Sequence, residues 1–179
     1  MWHHARACFV RGRWRLLRAA MRGHSAVEFA LVAPCALGLL TGIVILGIAI
    51  TNLVQITNMA REGARVAAVC GSVAGARMPD GSGACSDAAV AIYITSHLTA
   101  VPAGAVSPQI FVCAPAQAAA GTCTTAGVQG IENCQPGRIV EVDMYYDQPL
   151  YLPLVSDIFA TNGHGAWRLN ASAQATCEQ

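Results

Sequence analysis

The chain has no lysine: all eleven of its basic residues are arginine. It is poor in aromatics (6%) and in charge of any kind (12%). No acid precedes Gly23, although six arginines do (Arg6, Arg11, Arg13, Arg15, Arg18 and Arg22). From His24 onward five arginines face ten acids, a net charge of −5. A mildly acidic remainder with no basic stripe excludes nucleic acid as a partner. No CxxC pair occurs among the eight cysteines, which disfavours zinc and thioredoxin-type chemistry. What the chain has in excess is apolar surface. At 54% hydrophobic and a mean hydropathy of +0.44, it is too apolar for an ordinary soluble domain, and a membrane segment is the usual reason.

That segment is residues 29–50, 22 positions without a charge. As a helix it measures roughly 33 Å, enough to cross a hydrocarbon core. The flanking arginines argue against a buried core helix and should stay cytoplasmic, so that the C-terminal part faces outward. The run is too long for a cleaved secretory signal peptide. Within it, Gly38 and Gly42 form a GxxxG, a spacing that lets two helix backbones approach, with Gly47 expected close to the same face. Pro34 removes one helical hydrogen bond. Beyond the span, Leu53, Ile56, Ala60, Ala64 and Ala67 keep helical spacing until Gly71 and Ser72 supply a stop. One helix over 25–69 would be roughly 67 Å long, so its outer half must pack on the chain's own C-terminal part and on neighbouring copies.

The sequence "RGHSAVEFALVAP" (residues 22–34) sets a carboxylate, Glu28, at the mouth of this run, five positions after Gly23. An acid there hinders insertion and needs a reason. A basic leader, a glycine, a carboxylate at the fifth following position and a long apolar helix together resemble a type IV prepilin. The resemblance implies that prepilin peptidase cuts after Gly23, leaving His24 as the N-terminus and Glu28 as the fifth mature residue, followed by Phe29. Physically, helices bundled in an apolar filament centre would bury an α-amine, which is costly unless it is paired. A carboxylate from an adjacent subunit pairs with it. "AVEFALVAP" (26–34) together with "NMAREGARVAAV" (58–69) narrows the resemblance to TadE-like proteins, minor pseudopilins of tight-adherence (Flp/Tad) pilus systems. "NASAQAT" (170–176) is weakly similar to that family's last strand.

From Gly71 the composition shifts to Gly, Ser, Pro, Thr and Cys. Residues 76–87 read as a loop, and Ser86 as the cap of a helix over 87–100 with Ala89, Ile92, Tyr93 and Ser96 on its apolar face. Residues 106–114, 138–147 and 166–177 read as strands, 115–137 as a long loop and 149–159 as a Pro-bounded connection. The expected architecture is α+β: a long N-terminal transmembrane pilin-like helix, then a small domain with one short helix and about three antiparallel strands. The corresponding divisions are a leader (1–23), the transmembrane and extended helix (24–70) and an exported domain (71–179).

Cys8 falls in the leader and Cys35 in the span. The other six (Cys70, Cys85, Cys113, Cys123, Cys134 and Cys177) lie on the expected exported side, where an even count reads as disulfides with fifteen possible connectivities. Cys70 with Cys85 is the best single pair, since it ties the long helix's end to the next helix. A catalytic constellation is lacking. His97 and His164 have no partner motif, and Asn170-Ala-Ser172 is a sequon that chance supplies readily. Glu141 and Asp143 share a strand face, which suits either a divalent cation or plain solvent exposure. No cofactor and no metal are expected.

The resemblance therefore implies a structural, non-enzymatic pseudopilin or assembly component. Its partners would be the inner membrane, prepilin peptidase, other pilins and Tad assembly proteins; its topology would be single-pass with the C-terminal domain periplasmic. The other class compatible with the residues is an uncleaved signal anchor whose disulfide-bonded exported domain binds a ligand, as an adhesin or sensor.

Overall fold

A computed structural model describes residues 5–150, 160 and 165–177, with positions 5–25 described as helix backbone. Helix α1 runs over Ala5–Ser72 and continues through Pro34. It therefore begins some twenty residues before the expected start: the Arg-rich leader contains no proline and has enough leucine, alanine and arginine to hold a helix. Two compact units result, residues 1–46 and 47–179.

In the second unit α1 buries Ala49, Asn52, Ile56, Ala60, Ala64 and Ala67 in helical phase. Leu53, expected on that face, is 37% exposed, and Asn52 holds the inward position instead. Helix α2 spans Asp87–Ser96, ending four residues before the expected Ala100. Ser86 caps it as expected, its hydroxyl accepting from the Ala89 N–H at 3.1 Å. The buried positions on α2 are Val90 and Ile94, flanked by half-buried Ala89 and Tyr93, while Ile92 is 67% exposed. The helix is apolar nearly all round, so periodicity could not pick its face. The choice is made by the surfaces it meets, including Gly63 of α1, where an added Cβ would run into Ile94.

The sheet has four antiparallel strands in the order β2-β1-β3-β4: β1 Gln109–Cys113, β2 Val128–Gln129, β3 Ile139–Pro149 and β4 Ala166–Thr176. Strand β1 is shorter than expected at its start, where only Val106 makes an isolated bridge, to Tyr146. Strands β3 and β4 pair over eleven positions, from Ile139 with Thr176 to Pro149 with Ala166. One face of β3 (Val140, Val142, Met144 and Tyr146) joins the core with α1, α2 and Leu169 and Ala171 of β4.

The segment 115–137 is not a plain loop. It holds α3 (Pro115–Ala119), α4 (Cys123–Ala126), the short β2 and a 3-10 turn at Ile131–Asn133. Each is too short to show a period in sequence. Pro115 opens α3, and the Gln117 side chain accepts from the Ala114 N–H at 2.9 Å. These helices form a second small apolar cluster on Phe111, with Cys113, Ala118, Cys123 and Ile139. Of the expected 149–159 connection, residues 151–159 lie outside the described residues, as does His164.

Three disulfides close the unit: Cys70–Cys85, Cys113–Cys123 and Cys134–Cys177. The first is the pair favoured from the sequence. The first and third converge at the end of α1, where Gly71 lies against the Ile131 carbonyl and the Cys134 side chain, leaving no room for a Cβ. Gly71→Ala should therefore lower stability by about 1–3 kcal/mol, because the obstacle is backbone and cross-linked cysteine rather than a flexible side-chain end. Gly104→Ala, whose added carbon meets nothing within 4 Å, should change it little. Denaturant unfolding of both variants beside the native chain checks the contrast.

Candidate functional site

The first unit offers helix surface. None of its most apolar eighteen-residue window is buried, and Phe29, Leu31, Leu37, Leu39 and Ile43 all expose more than half their area. Polar side chains within the apolar stretch turn back on the helix: the Thr41 hydroxyl donates to the Leu37 carbonyl at 2.7 Å. Cys35 is exposed and free. Gly38 and Gly42 have nothing within 4 Å of an added Cβ, so the close approach they permit is unused within the chain. Gly47, expected near the same face, lies nine residues from Gly38 and so half a turn away in helical phase. Glu28 is exposed at the start of this surface. Gly23 and His24 lie within the helical backbone of α1.

The second unit holds the outer part of α1 with two polar clamps that sequence reading missed. Asn52 and Gln148 are 5% and 3% exposed, and the Asn52 amide donates to the Gln148 side-chain carbonyl. Gln148 in turn donates to the Pro149 carbonyl at 3.3 Å. One turn along, the Gln55 amide donates to the Thr99 hydroxyl at 2.6 Å and accepts from the Ala100 and Val101 N–H groups at 2.9 and 3.3 Å. The available signal was phase. Asn52 precedes Ile56 and Ala60 by four and eight residues, and Gln148 continues the inward alternation of β3, so both amides occupy core positions.

On the outer side of the sheet, Glu141 and Asp143 do not form a simple exposed face. Glu141 is buried and accepts from the Gln174 amide at 2.8 Å. Asp143 is partly buried, and desolvation pushes its carboxyl above the ordinary aspartate range. Further along, Arg168 makes a two-toothed contact with Asp147 at 2.9 and 3.0 Å and sits 5.0 Å above the Tyr145 ring. On α1, Glu62 pairs with Arg65, whose hydrogen bond holds the carboxyl below its usual range. His97 is exposed, its Nδ1 donating to the Tyr93 carbonyl at 2.8 Å. Among the described residues, no group of three or more His, Cys, Asp or Glu could hold a metal ion. Asn170 of the sequon lies exposed within β4, opposite Tyr145.

The family model described as TadE-like protein matches residues 23–65. The resemblance read from Gly23, Glu28 and the first eight residues of "NMAREGARVAAV" is thus shown over that segment; residues 66–69 lie beyond it. No curated protein matches the chain, and no solved structure does. The matched segment contains the unburied apolar helix and both clamp residues of α1.

Asn52→Leu should cost about 1–3 kcal/mol, because it leaves the buried Gln148 amide without its partner. Gln148→Leu should cost a similar amount. The double variant should recover much of the loss, since an apolar pair leaves neither amide stranded. A double-mutant cycle by denaturant unfolding measures the coupling. Additive single losses would show that the two amides do not act as a pair.

Proposed function

We propose that this chain is a non-catalytic TadE-like component of a tight-adherence pilus machine, cut by prepilin peptidase after Gly23. The observation that carries this reading is the family match over residues 23–65, which begins at Gly23 and includes Glu28. In this reading residues 1–23 are a cytoplasmic leader, 24–70 the membrane-anchoring and extended helix, and 71–179 the periplasmic domain. The domain's three disulfides suit an oxidising compartment.

The chemistry proposed for each residue follows from cost. Gly23 fits a peptidase pocket that accepts only a small side chain before the scissile bond. Cleavage frees the α-amine of His24. When helices gather side by side, that amine enters an apolar setting, and a Glu28 carboxylate from a neighbouring subunit neutralises it. Gly38 and Gly42 give the same helix a place of close approach to another. The partners are then other pilins and Tad assembly proteins within the inner membrane. An uncleaved signal anchor gives Glu28 no such task.

Gly23→Leu should leave residues 1–23 attached, whereas Gly23→Ala should be tolerated; intact mass of the membrane-extracted protein reads both. A Gly23→Leu chain that still starts at His24 would remove the prepilin assignment. Glu28→Ala should keep insertion and processing but sharply lower pilus output, because one partner of a buried pair lost costs about 3–5 kcal/mol. Glu28→Gln should be milder. Normal piliation by Glu28→Ala at native protein abundance would favour the signal anchor.

A further inference from the structure

The three cross-links differ in how far solvent reaches them. Cys113 and Cys123 are 0% exposed, and Cys134 and Cys177 are each 3% exposed. Cys70 is buried as well, but its partner Cys85 is only half-buried. Both also border a recess of about 520 Å³, whose walls include Gly71, Ala88 and Glu132. One disulfide of the three therefore combines a partly exposed cysteine with a space large enough to admit a small molecule or a side chain.

A disulfide exchanges when a thiolate attacks one of its sulfurs, so access decides which bond of a folded protein reacts. Burial closes that route to Cys113–Cys123 and Cys134–Cys177 as long as the unit stays folded. Within the Cys70–Cys85 bond the two sulfurs are not equivalent. Cys70 Sγ lies 3.6 Å from Met78 Sδ, and Met78 is itself 3% exposed, so that side is packed. Cys85 precedes Ser86, the cap of α2, and is the sulfur left within reach. Charge then selects the attacking molecule. Asp87 and Glu132 are the charged residues that border the recess, and both are acids. They repel an anionic thiol and admit a neutral or cationic one.

We propose that Cys70–Cys85 is a thiol-exchange site, opened and closed in the folded unit by a neutral or cationic dithiol that enters the recess and attacks Cys85 Sγ. The attacking thiolate forms a new S–S bond to Cys85, the Cys70–Cys85 bond breaks, and Cys70 leaves as a thiolate. The second thiol of the dithiol then attacks the mixed disulfide and releases Cys85. The two protons given up by the dithiol end on Cys70 and Cys85; the dithiol is oxidised to a disulfide and the cysteine pair is reduced by two electrons. The reverse sequence, from an oxidised partner, closes the bond again. Opening it releases the 76–85 loop and the start of α2 from the end of α1, while Cys134–Cys177 stays closed beside Gly71. The inference needs neither cleavage after Gly23 nor a pilus, so it stands or falls apart from that reading.

The test uses the full chain in detergent without denaturant, its free thiols, Cys35 among them, first blocked with N-ethylmaleimide. Dithiothreitol is added, samples are quenched with iodoacetamide at intervals, and peptide mass mapping reads each bond separately. Cys70 and Cys85 should be labelled at least about tenfold sooner than the other four cysteines. After brief exposure to mercaptoethanol, the trapped mixed disulfide should sit on Cys85, with Cys70 alkylated. Cysteamine should outpace mercaptoethanesulfonate, each rate being taken relative to its rate on hydroxyethyl disulfide, and salt should narrow the gap. Ala88→Trp, a bulky change at an exposed position bordering the recess, should slow the opening. The proposal is overturned if the bond opens only in denaturant, or if either of the other pairs opens as fast. A mixed disulfide on Cys70, equal relative rates for the two charged thiols, or an Ala88→Trp chain that opens at the native rate would overturn it as well.

Discussion

Everything in this protein depends on how one very long helix gets its apolar surface covered. α1 extends over 68 residues, and no single environment can serve all of them. Over residues 26–46 the helix is apolar around most of its circumference and none of its most apolar window is buried within the chain. Over 49–70 the buried positions shrink to a stripe, and half of them are alanine: Ala49, Ala60, Ala64, Ala67 and Ala68. Small side chains bury little area each but let the sheet and α2 come close to the helix axis. Gly63 and Gly71 take that approach to its limit, since both sites lack space for one more carbon. The change from leucine and isoleucine to alanine and glycine along one helix is therefore a change of surroundings, from a stretch the chain itself leaves uncovered to one covered by its own domain.

Close packing of small residues gives modest apolar gain, and polar contacts add geometry that apolar packing does not specify. Buried amides tolerate little displacement, because a stranded amide costs about 1–3 kcal/mol. Asn52 with Gln148 fixes α1 against the end of β3, and Gln55 fixes it against the turn after α2. Together they set the rotation and the height of the helix relative to the sheet, which an alanine stripe alone leaves loose. That fits their place just after the charge-free run of α1, where the buried stripe begins.

The parts that could be read from sequence were those with a long period or a chemical reason. The 22-residue apolar run, the alanine spacing beyond it and the alternation of β3 each repeat often enough to specify an element, and the Ser86 cap follows from its hydroxyl. The single favoured disulfide came from topology, since Cys70 and Cys85 flank one loop. The inward face of α2 was misread because nearly every residue on it is apolar, so burial of Val90 and Ile94 over Ile92 is decided by tertiary contact. Asn52 and Gln148 carry no motif that marks a buried amide pair, and only their helical and strand phase points inward. The short helices after β1 span four or five residues each, less than two turns, and a run that short carries no period to detect.

The cross-links complete the same logic. The second unit has few aromatics to bury and a helix face built from alanine, so burial alone gives it a thin margin against chain entropy. Its disulfides close loops of 15, 10 and 43 residues. In the chain-entropy account such loops contribute roughly 3, 2.5–3 and 4 kcal/mol. Their sum is comparable to the whole net stability of an ordinary domain, about 5–15 kcal/mol. Their placement matters as much as their number. Two of them meet at Gly71, so the end of α1, the 76–87 loop, the 131–134 turn and the C-terminal end of β4 are drawn to one point. The third holds α4 to β1 on the opposite side of the sheet. A domain built this way draws much of its margin from its cross-links, which couples its folding to oxidation of these six cysteines.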